Sequence, residues 1–307
     1  MKKTLFATTA LVMSAGVAAA DVTISGYGRA AIDYQEGRTE EAQIDTRVRF
    51  NIDGSTTTDQ GVDFGARVRL QYDDGNSNST TSPGYVYVTS GGLTVSMGNV
   101  GTAFDSVGLL YESEVGLISR SYGNTQGSFY AFSTGGYGVE NDRMGVAAEY
   151  SVGGFTGRLS YVDPDQTAGS PIGSSEEVGI SIDYEWNQIQ LSAAAVQNGA
   201  GIDNNDQYFV GAYYTMPGTS NGIGLNWLDN GPTAFDSQTV VLYGDYEVAP
   251  MTTLSAYIAN NDAPGNATDN AFGIGAKYDL GGAILAGSIE RGYNENIRSD
   301  MGIKFNF

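Results

Sequence analysis

The sequence contains no cysteine and no histidine, and only seven prolines in 307 residues. Without cysteine there is no disulfide and no thiolate nucleophile. Without histidine there is no Ser-His-Asp triad and no zinc site of the usual Cys/His kind. Positive charge is scarce: 15 Lys and Arg stand against 35 Asp and Glu, a formal net charge of -20. That balance argues against nucleic acid, whose phosphates reward a basic face. Charged residues together make up 16% of the chain, below the ~25% usual in soluble domains. Beyond the first twenty residues, no apolar run reaches the ~20 residues a spanning helix needs. What is abundant is glycine, with 43 residues, and tyrosine, with 20. This is the composition of a large glycine-rich β-protein rather than of a soluble acidic enzyme.

Residues 1–20 read as a cleaved export signal. Lys2 and Lys3 form a basic start, Leu5 to Val17 a short apolar stretch, and Ala18, Ala19 and Ala20 a small-residue cleavage site. The protein is therefore expected outside the cytoplasm, with one domain over 21–307. From Asp21 onward apolar and polar residues alternate, the period of a half-covered strand. Val22, Ile24, Gly26, Gly28, Ala30, Ile32 and Tyr34 share one face; Thr23, Ser25, Tyr27, Arg29, Ala31 and Asp33 share the other. Ile44 to Ile52 and Val62 to Tyr72 repeat the pattern.

The connections separate a membrane barrel from a sandwich. Short turns are expected near 53–60, 90–92, 152–154, 185–188, 215–221, 247–251 and 279–282. Long polar connections fall near 35–42, 73–83, 99–139, 163–176, 198–206, 229–237, 260–269 and 291–297. The two kinds alternate strictly, which requires sixteen strands in an up-and-down meander. The fold class is thus all-β: a closed antiparallel transmembrane barrel, wide enough to hold an aqueous channel. Setting each strand's phase from its apolar residues places Arg29, Arg47, Arg49, Arg67, Arg69, Arg143, Arg158 and Arg298 on the polar face. An arginine facing lipid at the midplane would cost ~2–4 kcal/mol. Tyr34, Tyr72, Tyr150, Tyr161, Tyr184 and Trp227 fall on the outward face near strand ends and suit interfacial aromatic girdles.

The last strand alternates through Ile297, Ser299, Met301, Ile303, Phe305 and Phe307, and the chain ends on that phenylalanine. With it, three further segments carry a family resemblance: Asp21-Val-Thr-Ile-Ser-Gly-Tyr-Gly-Arg29, Asp59-Gln-Gly-Val-Asp-Phe-Gly-Ala-Arg67 and Lys277-Tyr-Asp-Leu-Gly-Gly282. The chain resembles a general diffusion porin of the trimeric, sixteen-stranded type found in Rhodobacter-like alphaproteobacteria, over essentially all of 21–307. The resemblance implies a homotrimer in the bacterial outer membrane, in contact with lipid and lipopolysaccharide. It also implies that the Phe305 and Phe307 strand is the signal read by the barrel-assembly machinery.

It further implies that the third long loop, 99–139, folds into the lumen and narrows it. Asp105, Glu112 and Glu114 are then the acidic side of a pore constriction, with Glu140 at the loop exit. Leu109, Leu110, Leu117 and Ile118 are expected to pin the loop to the wall. Arg29, Arg47, Arg49, Arg67 and Arg69 form the basic side, unless Asp33, Asp45, Asp63 and Asp73 merely neutralise them. Charge on opposite sides of a polar constriction tunes ion selectivity. The expected function is passive diffusion of ions and small hydrophilic solutes, with the net charge favouring cations. No cofactor is required. Loop carboxylates are candidate Ca2+ ligands, although no EF-hand spacing is present. Gly26, Gly28 and Ala30 leave a smooth outward patch suited to a subunit contact.

Three other readings compete. A substrate-selective barrel transporter would need an aromatic track or a specific polar ladder in the lumen. An outer-membrane enzyme would have to work without histidine, and no Gly-x-Ser-x-Gly elbow is present. A secreted acidic β-sandwich adhesin leaves the strict alternation of turns and loops unexplained.

Overall fold

The computed structural model describes residues 20–73, 80–135, 143–166, 175–232 and 236–307. The expected leader, apart from Ala20, and Glu140 lie outside the described residues. Among the described residues sixteen strands follow one another: Asp21–Gln35 (β1), Ala42–Thr57 (β2), Asp63–Asp73 (β3), Tyr85–Ser90 (β4), Leu93–Gly98 (β5), Met144–Val152 (β6), Phe155–Asp163 (β7) and Glu177–Trp186 (β8). Then come Ile189–Gln197 (β9), Gln207–Thr215 (β10), Gly222–Asp229 (β11), Gln238–Ala249 (β12), Thr252–Asn261 (β13), Asn270–Asp279 (β14), Ala283–Arg291 (β15) and Ile297–Asn306 (β16). A two-residue stretch, Thr80–Thr81, precedes β4 along the same side of β3.

Each strand pairs antiparallel with the next, and β16 pairs with β1. The sheet therefore closes on itself and has no edge, the one way strands can cross a bilayer with every backbone group satisfied. Among the described residues there is no second sheet for a sandwich. In β8 the burial alternates without a break: Val178, Ile180, Ile182 and Tyr184 lie exposed outside, while Glu177, Gly179, Ser181 and Asp183 face in and are buried. A soluble protein would hide the apolar set; here it forms a lipid-facing belt.

Local chemistry fixes the short connections. Gly91 and Gly92, and again Gly153 and Gly154, hold positive φ at both central positions of two-residue turns, which only glycine takes without strain in this turn type. One turn lies later than its composition suggests. β2 runs through 53–57, and the chain reverses at 58–62, because Asp53 faces inward and accepts from Arg67 Nε at 2.6 Å across the strand pair. The Ser and Thr run that reads as a turn is still ladder.

The outward glycines of β1 are not a bare patch. A Cβ on Gly28 would come within 2.5 Å of the Phe305 ring, and one on Gly26 within 3.1 Å of the Phe307 ring. The two terminal aromatics lie across these glycines. Phe307 also exchanges backbone hydrogen bonds with Gly26, at 2.8 and 3.0 Å, and its ring lies 5.2 Å from that of Phe50.

Candidate pore constriction

The connection between β5 and β6 is the interior feature of the molecule. Its described part, 99–135 and Arg143, carries no strand, so 127–135 is loop. Phe104, Val107, Leu109, Leu110 and Val115 are buried against Val196, Phe209, Leu228, Val241, Tyr243, Tyr257 and Ala271, which point inward from β9 to β14. Leu117 and Ile118 pack on Ala31, Ala286 and Ile284. The loop thus covers an apolar strip of the lumen wall, and that burial supplies its adhesion.

Polar anchors fix where the loop lies. Buried wall side chains accept its backbone N–H groups: Ser160 from Ala103 at 2.9 Å, Asp183 from Gly108 at 3.0 Å, Asn230 from Gln126 at 2.8 Å and Glu177 from Tyr130 at 2.7 Å. At the far end Asp300 accepts from Leu117 at 2.9 Å and Ile118 at 3.2 Å. Arg120 forms an ion pair with Asp33. Asn226 donates to the Leu109 carbonyl at 2.7 Å. The approach is so close that a Cβ on Gly275 would stand 1.8 Å from the Val115 carbonyl oxygen.

The three acidic candidates occupy different situations. Asp105 accepts the Tyr111 hydroxyl at 3.0 Å. Burial raises its carboxyl above the ordinary range, with that hydrogen bond pulling the other way, and burial likewise pushes up the Tyr111 hydroxyl. Glu114 folds the loop onto itself: it accepts from the Arg120 and Ser121 backbone and from the Asn124 side chain. Burial raises it too, against the pull of those donors. Glu112 lies exposed to the lumen. The enclosing wall limits its hydration and raises its carboxyl; Asp245 adds to the rise and Lys277 opposes it. Among the described residues no three acidic side chains gather in a metal-holding group.

The basic candidates form a ladder on β1, β2 and β3. Arg29 grips Asp45 with two hydrogen bonds, at 2.7 and 3.0 Å, and is buried. Arg47 pairs with Asp73 and Arg67 with Asp53. Arg49 donates to the neutral Gln71 at 2.6 Å, and Arg69 to Asn51 at 2.8 Å. Arg69 also reaches Thr134 of the loop at 3.0 Å, with its guanidinium 4.4 Å from the Phe132 ring. Of the four neutralising acids expected from the sequence, Asp45 and Asp73 take that role. Asp33 holds Arg38 and Arg120, and Asp63 accepts from Thr57.

Two groups of residues escape a reading of the sequence. One is the set of wall carboxylates that hold the loop: Glu177, Asp183 and Asp300. Their signal is an acid at an inward strand position, which reads equally well as lining water. The other is the pair Lys277 and Lys304, which enter the same lumen from β14 and β16.

A family model described as Gram-negative porin matches residues 7–296. A porin of Fuscovulum blasticum is 41% identical over 295 residues, covering 94% of this chain and all of that one. A porin of Rhodobacter capsulatus is 26% identical over 321 residues, with the same coverage. The solved structure of a triple mutant of Rhodopseudomonas blastica porin superposes with a TM-score of 0.88 at 40% identity, covering 93% of this chain and all of that one.

Proposed function

This chain belongs to the Gram-negative porin family, and from that premise we propose that its third long loop and the β1–β3 wall form the charged constriction of the channel. The protein is an outer-membrane porin, a barrel for passive diffusion of small hydrophilic solutes. The finer reading assigns Glu112 as the acidic residue that acts on passing ions. The observation that carries it is its exposure to the lumen, while Asp105 and Glu114 engage donors of the loop itself. Arg29, Arg47 and Arg67 set the shape of the opposite wall through their ion pairs, and Arg49 and Arg69 supply its uncompensated charge.

Recording in planar bilayers under a KCl gradient tests this. Glu112→Gln is expected to shift the reversal potential toward anion preference more than Asp105→Asn or Glu114→Gln does. An equal shift for all three, or none for Glu112, removes the assignment. The pH dependence has a definite sign. Glu112 is charged above its raised pKa and neutral below it. Cation preference therefore falls on acidification, starting above the usual glutamate range, ~4.3.

The proposal requires no cofactor and no enzymatic chemistry. Asp105 and Glu114 accept from protein donors of the loop, so the proposal needs no Ca2+ on them, and chelation by EGTA is expected to leave conductance unchanged. The chain works as a homotrimer, bathed by lipid and lipopolysaccharide, and conductance should rise in multiples of three. Phe305 and Phe307 remain the proposed contact for the barrel-assembly machinery.

A further inference from the structure

Beyond the leader the chain holds only two lysines, Lys277 and Lys304. Both sit on the inward face, and neither makes an ion pair among the described residues. Lys304 stands directly opposite Arg29, and Arg29 directly opposite Arg47. Three cations on three neighbouring strands thus form one row at the ladder spacing of ~4.8 Å. Like charges in direct register repel. Asp45 and Asp73 relieve Arg29 and Arg47, but nothing comparable reaches Lys304.

The Lys304 ammonium lies 4.6 Å from the Tyr27 ring centroid, and the Arg49 guanidinium 5.1 Å from the same centroid. The two cations are therefore no more than about 10 Å apart, both on long rotatable stems. Arg49 spends one donor on neutral Gln71. On the other side the neighbouring strand presents the apolar Ile284 directly opposite Lys304. An ammonium offers three donors and a guanidinium five.

We propose that Lys304 and Arg49 form a binding station for small oxyanions of two or more charges, such as inorganic phosphate. It retains these solutes briefly on their way through the pore. The station rests on the channel reading above but adds a site, a ligand class and a preference that a plain diffusion pore lacks. A tetrahedral oxyanion can accept from Lys304 and Arg49 together, and charge-assisted bonds of this kind are the strong ones.

The test uses the folded full-length barrel in planar bilayers in KCl at pH 8, with inorganic phosphate added and ionic strength held fixed. Millimolar phosphate is expected to reduce the chloride conductance roughly two-fold, with added current noise from brief occupancy. The double variant Lys304→Met with Arg49→Gln should lose this block. Arg291→Gln should keep it, since that guanidinium pairs with Glu295 away from the cluster. Calorimetric titration of the detergent-solubilised barrel with phosphate reads the same site without conduction. Chloride conductance left unchanged by added phosphate, with no heat of binding, overturns the station and leaves the channel intact. So does a block that survives the double variant. Absence of any chloride conductance would instead strike the channel reading, and the station with it.

Discussion

Asp300→Ala should release the tip of the inner loop and open the pore. The Asp300 carboxylate is buried and accepts two loop N–H groups, from Leu117 and Ile118. Hydrogen bonds to a charged group contribute about 1.5–3 kcal/mol each, and the substitution also leaves one buried and one half-buried donor unpaired. The neighbouring apolar cluster is small: Leu117 and Ile118 group with Ala31, Ala286 and Ile284. The polar clamp, not burial, therefore holds this end of the loop. The expected result is a larger single-channel conductance, a larger exclusion limit for neutral polymers, and faster proteolysis between 115 and 121, with the barrel still folded. Two further variants separate the causes. Asp33→Ala removes the Arg120 partner and should add to the effect. Gly275→Val keeps both carboxylates but pushes into the Val115 carbonyl, which lies where its Cβ must go. If Asp300→Ala leaves conductance and exclusion limit unchanged, adhesion of the apolar strip alone holds the loop.

The architecture is legible in the sequence because its signals are local. Alternation at period two names the face of every residue, and the alternation of turn and loop sets the strand number. The inward arginines follow from the same parity, as β1 shows with Arg29 in and Ile32 out. What parity cannot give is the partner. Glu114 and Glu112 are two residues apart on one loop, yet one caps its own backbone and the other faces the lumen. The difference lies in the path of a loop whose anchors come from strands up to 183 residues away, as for Leu117 and Asp300. Gly26 and Gly28 show the same limit. Alone they read as a smooth surface; the rings that lie across them arrive with the last strand. Lys304 reads as one polar position of β16 until closure sets it opposite Arg29.

That closing seam gives the second large effect. Gly28→Val should weaken closure of the barrel, whereas Gly54→Val on the neighbouring strand should be silent. Both glycines belong to the outward set, and both substitutions add the same β-branched side chain, which suits a strand. Their surroundings differ. A Cβ at Gly54 meets nothing within 4 Å, while one at Gly28 enters the Phe305 ring at 2.5 Å. Overpacking of this kind costs typically ~1–3 kcal/mol, and here it falls on the pairing that turns an open sheet into a barrel. Because a barrel has no folded state with that seam open, the loss is shared by all sixteen strands rather than confined to one. Removing Phe307 attacks the seam from the other side. It deletes both backbone hydrogen bonds to Gly26 and the ring packed on Phe50. The measurement is the fraction of protein that refolds into a heat-resistant, slowly migrating form in detergent electrophoresis. The Phe307 deletion should lose most of that form, Gly28→Val a measurable part of it, and Gly54→Val should keep it. Equal behaviour of the two valine variants would mean that the terminal rings merely lie over β1 and do not hold the barrel shut.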